Sequence, residues 1–195
     1  MNFILASGSS SRAQILRDAG VRFTVHPAHI DEDAVKDEMR GKTGHVVAER
    51  LADLKALQIS TQYPQDLVLG ADQVLALDRE LFSKAETLEG AATQLRRLRG
   101  KSHTLTGALT LARGGNPVWR HTGSAMLWMR DFSEEFLRAY LAQEGEALLG
   151  SVGCYRFEGL GAQLFERVEG DYFSILGLSL LPLLGALRDH GALEI

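Results

Sequence analysis

The chain has 195 residues, 45% of them hydrophobic and 24% charged, which is enough for one substantial core with ordinary globular composition. Its net charge of −4 excludes a general affinity for nucleic acid. Its single cysteine, Cys154, excludes an internal disulfide, fits a reducing compartment, and reads as a packing residue.

Residues 2–6 read as a first strand. The apolar run Phe3-Ile4-Leu5-Ala6 is too short for a signal peptide and has no basic leader. Ser7-Gly8-Ser9-Ser10-Ser11-Arg12 then opens a helix that runs to about Ala19 and is stopped by Gly20. Arg22 to His26 alternates like a second strand. A polar, acidic segment follows, from Asp31-Glu32-Asp33 to Gly44. His45 to Ile59 predicts an amphipathic helix with Val47, Leu51, Leu54 and Gln58 on one face and Lys55 at its flank. The stretch 67–77 is apolar and branched, as in a buried strand, yet it carries Asp72 and Gln73 in its middle. A carboxylate in such a run must be hydrogen-bonded, paired or metal-bound, because bare burial costs several kcal/mol. Its alternative reading is a cap on a turn at the strand end. Lys84 follows a short hairpin-like loop.

Thr87 caps a predicted helix from Leu88 to Arg99, with Gly100 as its stop. The basic run Arg96-Arg97-Leu98-Arg99-Gly100-Lys101 reads as a solvated face. Two β-rich stretches, His103–Ala112 and Val118–Met129, flank the hairpin signal Arg113-Gly114-Gly115-Asn116-Pro117. Ser133 caps a helix to about Gln143. Short strands are expected at Gln163–Val168 and Phe173–Ile175, and a last helix runs from Leu180 to before Gly191. Alternating helices and strands imply an α/β class with a mixed sheet. No run approaches the length of a membrane span.

Three groups of residues could carry chemistry. The serine-rich turn into the first helix offers free N–H groups, hydroxyls and Arg12, which suits phosphate through a bidentate guanidinium grip. It lacks the Walker and dinucleotide glycine patterns. Asp31, Glu32, Asp33 and Asp72 are carboxylates of the kind Mg²⁺ takes together with waters and substrate phosphates. The six histidines show no zinc-ligand spacing. Lys55 and Lys84, with Arg12, would complete a cationic clamp opposite the carboxylates. Cations, a metal and a base are what attack by water on a phosphoanhydride needs.

The ordered set Leu5–Arg12, Ile30-Asp31-Glu32, Arg50–Ala56, Gly70–Val74 and Lys84 resembles the Maf family of nucleoside triphosphate pyrophosphatases. So do Gly100–His103, Glu158–Gly161 and Gly170-Asp171-Tyr172 through Leu178, so the resemblance covers essentially the whole chain. It implies an elongated α/β fold of two lobes around a central cleft, within one domain over 1–195. It implies hydrolysis between the α and β phosphates with a divalent metal, Mg²⁺ or Mn²⁺. Asp72 matches the proton acceptor, Arg12, Glu32, Lys55 and Lys84 match the charged phosphate and metal site, and Glu32 with Asp72 would hold the metal. Ser7, Ser9 and Ser11 fall in the substrate-binding turn. Ser10 stands where the family usually has proline, and Ser11 stands where many members carry arginine or an aromatic at a position linked to substrate choice.

Gln73 and Glu158 fall on the other two specificity positions and look like the 7-methyl-GTP subgroup. Guanine offers adjacent N–H donors that a carboxylate can accept, and N7 methylation strengthens them. The bland alternative for Glu158 is a surface salt bridge beside a glycine turn. Competing functions are a dTTP- or UTP-preferring pyrophosphatase, and a nucleotide-binding regulator of cell division whose hydrolysis is incidental. The expected partner is a nucleotide, with no nucleic acid and no membrane, in a cytoplasmic protein; the family suggests a homodimer.

Overall fold

A computed structural model describes residues 1–194. One mixed sheet of seven strands organises it: β1 (Phe3–Leu5), β2 (Thr24–Val25), β3 (Leu67–Leu77), β4 (Glu80–Phe82), β5 (Ser102–Arg113), β6 (Asn116–Met129) and β7 (Phe165–Glu169). The order is β2-β1-β3-β5-β6-β7, with β1 parallel to β2 and β3 and the rest antiparallel. The helices are α1 (Ser10–Asp18), α2 (Glu32–Glu38), α3 (Gly44–Gln62), α4 (Leu88–Leu98), α5 (Glu134–Glu144), α6 (Tyr172–Ile175) and α7 (Leu180–Asp189). No described helix is long and apolar enough to cross a membrane.

The pairing of β3 positions everything that follows. On one edge, Val68–Ala76 pairs continuously with β5. On the other edge, β1 pairs with Leu67–Leu69 and β4 with Leu75–Leu77. Residues 70–74 therefore have a strand neighbour on one side only. Apolar clusters pack beside each half of the long strands. One joins Leu67, Leu69, Leu109 and Leu111 to α1 and α7; the other joins Leu75, Leu105 and Leu127 to α4 and α5. The interrupted edge lies between the two clusters.

Gly70 explains the approach of α3. A Cβ on residue 70 would stand 2.2 Å from the Ala52 carbonyl oxygen and 2.5 Å from the Ala56 nitrogen. Only glycine allows the helix backbone so close to the strand. Gly70 and Asp72 share a face of β3 because side chains alternate along a strand. The contact therefore brings Lys55, between Ala52 and Ala56, over Asp72.

Several sequence expectations need correction. The acidic segment contains α2, with Asp31 as its N-cap accepting from the Ala34 N–H at 3.0 Å. It has no buried residue, so no apolar period announced it. Residues 173–175 form helix α6 rather than a strand. Asp171 caps it, and Gly170 (φ +141°) and Gly177 (φ +95°) break the chain on either side. The second strand shrinks to the two exposed residues Thr24 and Val25. The strand expected at Gln163–Val168 is present as β7 and begins two residues later, at Phe165, after a 3₁₀ turn over Leu160–Leu164. The buried stripe of α3 is Val47, Ala48, Leu51, Ala52, Lys55, Ala56, Ile59 and Ser60, so Lys55 lies within it instead of at its flank, and Leu54 and Gln58 are only half-buried. Asp72 sits mid-strand and is no end cap. The caps Thr87 and Ser133 stand where expected. The basic run is a surface face: Arg96 and Arg99 both pair with Glu134, and Arg97 pairs with Glu80.

Candidate active site

The turn after β1, the start of α2, the middle of α3, the open edge of β3 and the segment 150–158 converge on one cavity of about 840 Å³. Ser7, Ser9, Ser11, Arg12, Glu32, Lys55, Asp72, Gln73, Lys84 and Glu158 all line it, whereas the candidate carboxylates Asp31 and Asp33 do not. Asp31 and Asp171 serve as helix caps. Asp33 stands in solvent, 3.8 Å from Lys36.

At the centre, the Lys55 amine lies 2.6 Å from Asp72 Oδ1 and 2.6 Å from Glu32 Oε1. Lys55 and Asp72 are buried, at 8% and 6% exposure. Lys55 is the member on which the set depends, because it answers both carboxylates; its loss would leave the buried Asp72 charge without its closest partner, a change that costs about 3–5 kcal/mol. Burial raises the Asp72 pKa above its ordinary value, against the opposing pull of Lys55 and Arg12. Burial also pushes Glu32 upward, but its hydrogen bond and ion pair with Lys55, helped by Lys36 and Lys84, hold it below the usual carboxylate value. The two carboxylates are thus driven apart in proton affinity, the pattern of sites that divide acid–base roles. Asp72 Oδ2 has no protein partner among the described residues.

Arg12 is held by three acceptors: the Gly177 carbonyl takes Nε at 2.9 Å, and Ser7 Oγ and the Ala71 carbonyl take Nη1 at 3.0 and 3.1 Å. Ala71 lies on the unpaired edge of β3, so the guanidinium occupies the gap between β1 and β4. The expected bidentate grip is not available here, because Nε and Nη1 are engaged and Nη2 alone remains. Ser9 is the N-cap of α1, accepting from the Arg12 N–H, and Ser7 Oγ also accepts from the Ser9 N–H at 3.3 Å. Lys84 stands open toward the cavity. Desolvation and the nearby Arg12 charge lower its pKa from the ordinary lysine value of 10.5.

The sequence missed Lys36 and Arg156, which also line the cavity. Lys36 donates to Ser83 Oγ at 3.2 Å, tying α2 to the loop before Lys84. It stands four residues after Glu32 on α2, one helical turn away, a signal available only once that helix is known. Arg156 pairs with Glu144 at 3.3 Å and with Glu158 at 3.4 Å. Glu158 is thus in a salt bridge and in the cavity wall at once. In total Arg12, Arg17, Lys36, Lys55, Lys84 and Arg156 face Glu32, Asp72 and Glu158 across this space. A cavity with excess positive charge, in a chain of net charge −4, is chemically suited to a polyanion.

Among the described residues, no group of three or more histidine, cysteine, aspartate or glutamate side chains gathers around one point. Glu32 and Asp72, meeting at one amine, supply two hard oxygen donors. Mg²⁺ and Mn²⁺ suit that number when waters and substrate phosphates complete the shell.

A family model described as Maf-like protein matches residues 2–190. A nucleoside triphosphate pyrophosphatase of Granulibacter bethesdensis is 53% identical, covering 100% of both chains. Another of that name, from Paramagnetospirillum magneticum, is 52% identical, covering 97% of this chain and 99% of its own. A 7-methyl-GTP pyrophosphatase of Rhizobium etli is 46% identical, covering 98% of this chain and 97% of its own.

Proposed function

The chain belongs to the Maf family, and on that premise we propose that it hydrolyses a nucleoside triphosphate between the α and β phosphates, releasing a nucleoside monophosphate and pyrophosphate. The observation that carries this reading is the cationic cavity built around the Glu32–Lys55–Asp72 set. Arg12, Lys36, Lys55 and Lys84 would neutralise the triphosphate. Asp72 would accept a proton from the attacking water while the water oxygen bonds to phosphorus and the α–β bridging bond breaks. The pyrophosphate leaves with the electron pair of that bond. Glu32 and Asp72 would hold Mg²⁺ or Mn²⁺, which when bound supplies further charge neutralisation for the phosphates. The protein's part is positioning and electrostatics, with no covalent intermediate.

Lys84 gives the reaction an alkaline limit. Its pKa is lowered, so its proton leaves at a lower pH than that of an ordinary lysine, and the cavity then loses a phosphate-facing charge. The profile of kcat/KM against pH is expected to fall on a limb below 10.5. Lys84→Arg, which stays protonated throughout, should remove that limb. A limb unmoved in the Lys84→Arg enzyme would take Lys84 out of phosphate binding.

For the base, we read the substrate as guanine-type, with 7-methyl-GTP first. Support comes from the Glu158 carboxylate in the cavity wall and from two relatives, 46% and 44% identical, that bear that substrate in their names. Pyrophosphate release from a panel of 7-methyl-GTP, GTP, dTTP and UTP with Mg²⁺ or Mn²⁺ tests the reading. Glu158→Gln is expected to lower the preference for 7-methyl-GTP over UTP by about tenfold or more, because a glutamine suits a mixed donor–acceptor edge. An unchanged preference would leave Glu158 as a salt-bridge residue only. Tight nucleotide binding with negligible turnover would instead favour a regulatory protein.

A further inference from the structure

The Gln73 side chain has an unusual constraint. Its amide nitrogen donates to two backbone carbonyls, of Ser174 at 2.9 Å and Ile175 at 3.2 Å. Two carbonyl oxygens can be met only by the NH₂ end, so the orientation of this amide is dictated by its partners. Both hydrogens are engaged, and Oε1 has no hydrogen-bond donor among the described residues. Gln73 therefore offers the cavity an acceptor and no donor. Gly177 lies beside it on a backbone of φ +95°, which favours glycine; a Cβ there would only touch Gln73 Oε1 and Arg12 Nε, each at 3.6 Å.

The two carbonyls belong to α6, a helix of four residues that cannot hold itself together. Asp171 holds it. Its Oδ2 accepts from the Ser174 N–H at 2.7 Å and from Ser174 Oγ at 2.9 Å, and Ser174 Oγ lies 2.8 Å from Ser179 Oγ. We propose that Asp171 is a positioning residue for base recognition: through Ser174 it fixes the carbonyls that turn the Gln73 amide, so that the base pocket presents acceptors from both Gln73 and Glu158. Two acceptors match the adjacent N1–H and exocyclic N–H₂ donors of a guanine-type base. They mismatch uracil and thymine, whose pairing edge places carbonyl oxygens beside one N–H. The proposal rests on the nucleotide reading above and adds the means by which the base is chosen. Arg12 also contacts this segment, through the Gly177 carbonyl, but Ser7 and Ala71 hold it independently. Loosening α6 should therefore disturb the base more than the triphosphate.

The test uses the full chain as wild type, Asp171→Ala, Asp171→Asn and Gln73→Glu. Hydrolysis of 7-methyl-GTP, GTP and UTP is measured beside binding of non-hydrolysable analogues of the same nucleotides. Asp171→Ala is expected to lower the guanine-to-uracil ratio of kcat/KM about tenfold, chiefly through KM for the guanine nucleotides. Asp171→Asn keeps an acceptor for the Ser174 amide and should restore most of the ratio. Gln73→Glu cannot donate to the two carbonyls, whose oxygens repel the new carboxylate from the position that Oε1 holds, so it should lose the ratio as Asp171→Ala does, which keeps the proposal exposed if Asp171→Ala folds poorly. A ratio unchanged in folded Asp171→Ala, or in Gln73→Glu, overturns the positioning role. If wild type binds guanine analogues selectively without turning them over, and Asp171→Ala loses that selectivity, the hydrolytic reading fails while this one stands.

Discussion

Replacement of Asp72 by asparagine is expected to lower kcat for nucleotide hydrolysis by about 10²- to 10⁴-fold, the usual contribution of a positioned general base, while the protein stays folded. Asparagine has the same shape but cannot accept a proton from water. Its effect on stability should be small for two opposing reasons. Burial already works against the Asp72 charge, raising its pKa, so a neutral side chain removes a desolvation cost. The substitution also removes one anion from Lys55, but the amine keeps Glu32 Oε1 at 2.6 Å. Steady-state kinetics together with thermal unfolding separate the two effects. Lost turnover at a nearly unchanged Tm supports the assignment, whereas equal turnover by variant and wild type would remove Asp72 from the chemistry.

The second large effect is structural and reaches the site indirectly. Gly70→Ala should destabilise the protein by about 3 kcal/mol or more, at or above the upper end of ordinary overpacking. The added methyl would meet backbone atoms of α3 at 2.2 and 2.5 Å, and backbone cannot swing aside as a side-chain tip can. Relief requires α3 to lift from β3, carrying Lys55 away from Asp72. Urea unfolding should show a large drop in midpoint, and the folded fraction should turn over nucleotide more slowly. A midpoint within experimental error of wild type would mean that α3 does not press on the strand as described.

Much of the site was legible because charge in an apolar run has few physical explanations. Asp72 and Gln73 stand out inside 67–77 from burial cost alone, and the ordered motifs placed Arg12, Glu32, Lys55 and Lys84 around them. Lys55 shows where that legibility ended. Helical periodicity put it at the edge of a stripe whose centre it occupies, because the close approach allowed by Gly70 is a tertiary fact. Lys36 was invisible for a different reason. Helix α2 buries no residue, so no periodicity marked it, although its cap Asp31 and the acidic pair Glu32 and Asp33 were the available signal. The α6 segment misled because Phe173 and Ile175 favour strands locally, while Asp171 and two left-handed or strained glycines decide otherwise. The Gln73 amide could not be read at all: its partners lie 101 and 102 residues away in the chain. The Arg12 expectation erred similarly, since its three acceptors are distributed over β3, the first turn and Gly177.

The most direct measurement is phosphorus NMR of the products formed from 7-methyl-GTP by the wild-type protein with Mg²⁺. A cavity that holds the whole triphosphate beside Asp72 should yield nucleoside monophosphate and pyrophosphate in equal amounts. Release of nucleoside diphosphate with inorganic phosphate would contradict it, as would the absence of any phosphorus product across the nucleotide panel.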